Sequence, residues 1–317
     1  MTPREIVRAA IQFEPYDGPV PHLELEFQLS DSMFGEPTLY GHDYEALPPH
    51  ARRDALVANA KLWIRVSERF GYNVITGLHW LPLEAQAESF GIIRELSGDR
   101  FMLSANQDGT QAIPNGEQML DLSIRMADDA DGLLSELDAR CNRAIENCRL
   151  LIDAGAEIVF MCSDYCFNSG PFLSPRMFRR FVTPFLKRQT RAIQEAGGFA
   201  VKHTDGNLWP IMDQLLECKP DGLHSIDPMA GMDIRKVRET VGDRVCLFGN
   251  VDCSRLQSGT PEEIETSARY CLDHGPLNGT GYVFASSNCI FKGVPEEAYL
   301  GMLAVRDAWQ NETHNQR

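Results

Sequence analysis

From about residue 136 onward, long stretches with apolar residues at helical spacing alternate with short continuous apolar runs. In SELDARCNRAIENCRLLIDAG, the groups Leu137, Cys141, Ala144, Cys148, Leu151 and Ile152 recur three and four apart, and Gly155 supplies a helix stop. AEIVFMCSD follows as a buried strand. LSPRMFRRFVTPFLKRQTRAIQEAGG opens with Ser174 as N-cap and Pro175 in the first turn, and Pro184 divides or kinks it. FAVKHTDG is the next strand. The alternation then repeats: helix LWPIMDQLLEC and strand DGLHSID, helix DIRKVRETVG and strand VCLFGNVD, helix TPEEIETSARYCLDHG and strand GYVFASSN. Thr260 and Glu263 form a capping box around Pro261, which marks that helix start.

Helix and strand in strict alternation predict right-handed βαβ units around a parallel sheet. Three earlier runs, VPHLELEF, YNVITG and RFMLSAN, raise the number of strands to eight. Eight such units in 317 residues describe a (β/α)8 TIM barrel, an α/β fold, as one domain over residues 1–317. The irregular N-terminal third, including GEPTLYGHDYEALPPHARRD, reads as a helical and loop elaboration that covers one end of the barrel. No dinucleotide fingerprint, Walker loop, nucleophile elbow or zincin motif occurs, which removes the main alternative uses of a parallel sheet.

Charge and cysteine usage narrow the partners. A formal charge of −15 repels nucleic acid and anionic lipid at long range. No apolar run approaches the roughly 18–20 residues that a span needs, and MTPREIVRAAIQFEP lacks the apolar region of a secretory signal. Nine cysteines without a framework spacing fit a reducing compartment, so the chain reads as cytoplasmic, with no membrane and no nucleic-acid partner.

In a barrel the chemistry gathers where the strands end. Those ends are polar throughout: Glu24 and Glu26 on the first, Thr76 and His79 after the second, Ser163, Asp164 and Tyr165 after the fourth. His203, Asp205 and Asn207 follow on the fifth, Ser225 and Asp227 on the sixth, Asn250 and Asp252 on the seventh, and Ser286, Ser287, Asn288 and Cys289 on the eighth. Asp227 and Asp252 read equally well as helix caps. His203 and Asp205 stand two apart, so in extended backbone they share a face and can hold a metal or a substrate group. With Cys289 they would suit Zn²⁺ with one open position. Cys141 and Cys148, seven apart on one helix, read as core.

At these residues the sequence resembles the uroporphyrinogen decarboxylase superfamily. The resemblance is carried by DAGAEIVFMCSDY, LSPRMFRRFVTPFLKR, KHTDGN, the run from DGLHSIDPMAG through FGNVD to LQSGTPEEI, and GYVFASSNCIFKGVPEEAYLGML. It implies a (β/α)8 barrel and, for the superfamily, either decarboxylation or cobalamin-linked methyl transfer. The decarboxylase's arginine-rich opening, its catalytic aspartate after the second strand and its late histidine turn are replaced here by LELEFQLSDSMFG, VITGLHWLP and SSNCI. Without those arginines a polycarboxylated tetrapyrrole lacks countercharge. The zinc-dependent methyltransferases of the superfamily use a His-x-Cys pair and a distant cysteine; His203 matches the histidine, Asp205 takes the place of the first cysteine, and Cys289 lies near the last.

The resemblance thus implies a corrinoid-linked methyltransferase. Zn²⁺ would sit on His203, Asp205 and Cys289, with His203, Asp205 and Glu26 catalytic. Glu24, Asp164, Tyr165, Asn207, Asn250, Ser287 and Asn288 would hold a small methyl donor or acceptor. The corrinoid would ride on a partner protein, since no D-x-H-x-x-G cobalamin loop occurs; a homodimer is compatible with this reading. Two alternatives stay open: a metal-free carboxy-lyase with His203 or Asp205 as proton donor, and a non-catalytic barrel subunit.

Overall fold

The computed structural model describes residues 1–314. Its strands, in chain order, are β1 (Val74–Ile75), β2 (Met102–Asn106), β3 (Ile158–Cys162), β4 (Cys166–Phe167), β5 (Gly170–Pro171), β6 (Phe199–Thr204), β7 (Gly222–Ser225), β8 (Cys246–Phe248) and β9 (Tyr282–Val283). Seven of them form one parallel sheet in the order β1-β2-β3-β6-β7-β8-β9, while β4 and β5 make a small antiparallel hairpin after β3. The expected first strand, within residues 20–27, lies in the gap between β9 and β1. It meets the β9 side through bridges His22–Phe284 and Phe27–Ile290, and the β1 side through Asn73 N–H donating to the His22 carbonyl at 2.7 Å. The ring therefore closes with a bent segment in the eighth position, where the sequence predicts a regular strand. A bend at Leu25 interrupts its pairing.

Period-two alternation sorts the strands into an inner and an outer face. Val74, Met102, Ile158, Phe160, Val201, Cys246, Phe248, Val283 and Ala285 pack together inside, with Leu23 and Leu25 from the bent segment. Val7 and Ile11 of helix Pro3–Ile11 join that cluster, so this helix plugs the N-terminal end of the barrel. Its start is fixed by a capping box between Thr2 and Glu5. The outward residues, such as Leu103, Val159, Met161, Ala200, Leu223 and Leu247, pack under the surrounding helices.

Local signals act where expected. The long segment after β5 divides at Val182 into helices Pro175–Phe181 and Thr183–Glu195, with Pro184 opening the second. Gly155 has φ +121°, the backbone that ends helix Ala130–Asp153 and that an L-residue adopts only with strain. No described helix is long and apolar enough to cross a membrane.

Candidate functional site

His203 is the last inward-facing residue of β6. Cross-strand register pairs it with Cys162 on β3 and with His224 on β7. The two imidazoles meet directly, Nδ1 to Nδ1 at 2.7 Å, and both are buried. His203 Nε2 stands 4.0 Å from Asp205 Oδ1. The strand ends at Thr204, so Asp205 lies just past it and is held from both sides: Ser225 Oγ donates to Oδ1 at 2.5 Å and Asn288 Nδ2 to Oδ2 at 2.6 Å. Ser225 and the following Ile226 have φ of +84° and +50°, sparsely populated for non-glycine residues; strain of this kind, roughly 1–3 kcal/mol per residue, is retained where surrounding contacts over-determine the backbone.

Asp164 completes the cluster. Its Oδ1 accepts the Asp205 backbone N–H at 2.9 Å, and donor atoms of Asp164, His203 and Asp205 all lie within 4.8 Å of one another. Burial pushes the Asp205 carboxyl up to about 7 against the opposing Ser225 hydrogen bond, with the charges of Asp164 and Asp227 adding to the rise. Burial also holds the imidazoles of His203 and His224 below the ordinary histidine value. An imidazole and two carboxylates are a borderline-to-hard donor set that suits Zn²⁺ or a similar divalent ion. His203 already uses its second nitrogen on a neighbouring group, as metal-bound histidines do.

A buried ion pair sets the position of Asp164. Lys202, adjacent to His203 but facing the outer layer, is fully buried; its Nζ donates to Asp108 Oδ2 at 2.8 Å and to the carbonyls of Met161 and Ser163 at 2.9 Å each, and lies 4.1 Å from the Tyr165 ring centre. Asp108 Oδ2 also accepts the Ser163 N–H at 3.0 Å, while Tyr165 N–H is fixed by Thr204 Oγ1 and Tyr165 OH meets Thr110 Oγ1. Both neighbours of Asp164 are thus pinned to rigid strands.

The family model for uroporphyrinogen decarboxylase (URO-D) matches residues 115–309. The chain belongs to the uroporphyrinogen decarboxylase family. Among curated relatives, the uroporphyrinogen decarboxylase of Aromatoleum aromaticum is 33% identical over 153 residues, covering 46% of this chain and 40% of that protein. That of Chlorobaculum tepidum is 28% identical over 162 residues, 46% of this chain and 44% of the relative. The chain thus matches less than half the length of these relatives. Among solved structures, a methyltransferase from Methanosarcina mazei superposes with a TM-score of 0.76 over 98% of this chain and 99% of that one, at 20% identity. The whole chain therefore shares the fold of that protein.

Within this uroporphyrinogen decarboxylase-family barrel, the structure gathers some of the expected residues and separates others. Cys289 stands outside the set formed by Asp164, His203 and Asp205. Its thiol is raised to about 12 by burial and then by the charges of Glu26, Cys253, Glu24 and Asp205. Glu26 is half-buried and pairs with His79 at 3.2 Å; burial opposes its ionisation, but His79 and Gln28 outweigh that and hold its carboxyl below the usual range. Glu24 does not share its face. Beyond the bend at Leu25 it is fully buried, accepting from Ser286 Oγ at 2.5 Å and lying 3.8 Å from His22 Nε2, and burial lifts its carboxyl to about 8. Asn207 leaves the row as well, because Gly206, at φ +86°, turns the backbone. Asn207 Oδ1 then accepts the Trp209 N–H, and a Cβ at Gly206 would come within 2.4 Å of the Cys166 carbonyl oxygen.

Three more expected contacts are committed within the protein. Asn250 bonds the Ile226 carbonyl and the Cys271 thiol, Ser287 Oγ accepts the Cys253 N–H, and Tyr165 serves the Lys202 pocket. Asn288, by contrast, reaches the cluster directly, through Asp205. Asp227 and Asp252 cap the turns that follow them. A cleft of about 670 Å³ beside the strand ends is lined by Met232, Lys236, Asp252, Arg255 and Tyr270 among others. Within it Arg255 pairs with Glu263 at 2.5 Å and the Tyr270 hydroxyl donates to Asp233 at 2.9 Å. His224, Lys202 and Asp108 escape a reading by strand tips. His224 had a signal all the same: DGLHSID places an imidazole at the position in its strand that His203 holds in KHTDG.

Proposed function

We propose that this family member is a methyltransferase that moves a methyl group between a small methylated substrate and a corrinoid carried by a partner protein, with a divalent cation, Zn²⁺ first among candidates, at Asp164, His203 and Asp205. The observation that carries this reading is the convergence of one imidazole and two carboxylates within 4.8 Å at the strand ends. A cation bound there would draw charge from a leaving oxygen or keep a thiol ionised at neutral pH. Cys289 is the expected ligand that this reading gives up, since the gathered set holds Asp164 in its place.

The protein's own groups divide the remaining work. Ser225 and Asn288 fix the Asp205 carboxylate in the orientation in which it would face a cation. Glu26, paired with His79, adds negative charge at the same end. Together with Asp164 and Asp205 it disfavours a polycarboxylated tetrapyrrole and favours a neutral or cationic methyl compound. A carboxy-lyase is the rival reading, supported by the names of the curated relatives and by the near-neutral Asp205 as proton donor. Anaerobic incubation with methylcobalamin and a panel of thiols, phenols and amines separates the two. Methyl exchange, seen as the change in corrinoid absorbance and lost in Asp164→Ala, is the expected result. Release of CO₂ from a carboxylated substrate with no methyl exchange would overturn it.

A further inference from the structure

The contact between His203 and His224 has a consequence that depends only on counting protons. At an Nδ1–Nδ1 separation of 2.7 Å one nitrogen must donate and the other accept, so a single proton lies between the rings. Two neutral imidazoles carry two ring protons, so the second occupies one of the two Nε2 atoms. The site-facing Nε2 of His203 and the sealed Nε2 of His224 therefore share one proton, and whichever nitrogen lacks it presents a lone pair.

Two observations bear on which. His203 Nε2 lies 4.0 Å from Asp205 Oδ1, too far for a hydrogen bond, and both Asp205 oxygens already accept from Ser225 and Asn288. A proton on His203 Nε2 would gain no bond there. His224 Nε2 is buried with no hydrogen-bond partner, and beyond His203 the ring meets Phe160 in T-shaped contact at 6.0 Å and 80°. A lone pair on His203 Nε2, open toward Asp164 and Asp205, is the form that a cation held there can use, so the second proton goes to His224 Nε2. We infer that His224 is a positioning residue that sets the tautomer of His203: His203 donates from Nδ1 to His224 Nδ1, His224 carries the second proton on Nε2, and His203 Nε2 is left as a bare lone pair facing Asp164 and Asp205.

This inference rests on the proposed cation site for which ring carries the second proton and for what the lone pair would hold; that the two rings take complementary tautomers belongs to the pair itself. It also assigns a reason for an imidazole at the inner face of β7, where the surrounding barrel interior is apolar. A histidine locked in this way needs no rearrangement to ligate a cation through Nε2.

The test is long-range ¹H–¹⁵N correlation of the histidine rings in the ¹⁵N-labelled full chain, with and without added Zn²⁺. The two rings are assigned by signals lost in His203→Gln and His224→Phe. Expected are complementary tautomers, with the proton on Nδ1 for His203 and on Nε2 for His224. In His224→Phe, His203 should average between tautomers and Zn²⁺ binding should weaken about 10–100-fold. His224→Asn, whose amide oxygen can accept from Nδ1, should recover part of that loss. Should His224→Phe fail to fold, the wild-type spectra decide alone. A His203 ring protonated on Nε2, or a folded His224→Phe with tautomer and affinity unchanged, overturns the inference. Complementary tautomers without any Zn²⁺ binding would uphold the pair and remove the metal reading, so the two fail separately.

Discussion

Asp108→Asn is the perturbation that most directly probes how the site is held. Lys202 Nζ is fully buried, and Asp108, with a side chain only 6% exposed, is its anionic partner at 2.8 Å. The surroundings keep Asp108 ionised: burial pushes its carboxyl up, but Lys202 and Thr110 outweigh this and leave it below the ordinary value. At an effective dielectric of 20, the pair's attraction is about 6 kcal/mol before desolvation is charged against it. An asparagine amide turned either way loses hydrogen bonds. With its nitrogen toward Lys202 it opposes an ammonium and the Ser163 N–H; with its nitrogen toward Thr110 it opposes that residue's N–H and hydroxyl. Removing one member of a buried pair costs about 3–5 kcal/mol, a large part of the 5–15 kcal/mol that holds a typical domain. Urea unfolding followed by circular dichroism should show that loss. The double variant Asp108→Asn/Lys202→Met should be less damaged than the sum of the singles by about 2 kcal/mol or more. A single variant within about 1 kcal/mol of wild type, or singles that add within about 0.5 kcal/mol, would refute the claim that this pair organises the loop of Asp164.

Other outcomes follow from the same contacts. Glu24, raised from 4.5 to about 8 by burial, contributes stability that is full below pH 4.5 and is lost as pH rises through 8, a span of about 5 kcal/mol. Glu24→Gln should flatten that slope in chemical unfolding measured between pH 5 and 9 and be the more stable protein at the alkaline end; an unchanged slope would exclude Glu24 as its source. Asn288→Leu removes the donor to Asp205 Oδ2. Competition with a chromophoric chelator should show Zn²⁺ affinity falling about 10–100-fold while the unfolding midpoint moves little; equal affinity would mean that Asp205 needs no such support.

Much of the architecture was legible because both periodicities are strong. The division of helices Pro175–Phe181 and Thr183–Glu195 follows from Pro184, the capping box of Thr260 and Glu263 forms, and Cys141 and Cys148 are buried in the core. The His203–Asp205 pair was legible for the same reason, since alternate positions at a strand end share a face. Its extension to Asn207 was not, because that depends on the strand stopping at Thr204 and on the positive φ of Gly206. Glu24 and Glu26 part company at the bend of Leu25, which lies between His22 and Phe27, bridged to Phe284 and Ile290 at the far end of the chain. The partnership of Lys202 with Asp108, 94 positions apart, depends on tertiary contact and leaves no periodic trace.

Metal stoichiometry tests the central claim most directly. The full chain, loaded with Zn²⁺ and dialysed against metal-free buffer, should retain one ion per chain by elemental analysis, and His203→Ala, Asp164→Ala and Asp205→Ala should each lose it while keeping the native circular dichroism spectrum. A wild-type chain that retains none, or variants that all retain a full equivalent, would contradict the assignment of Asp164, His203 and Asp205 as the seat of the chemistry.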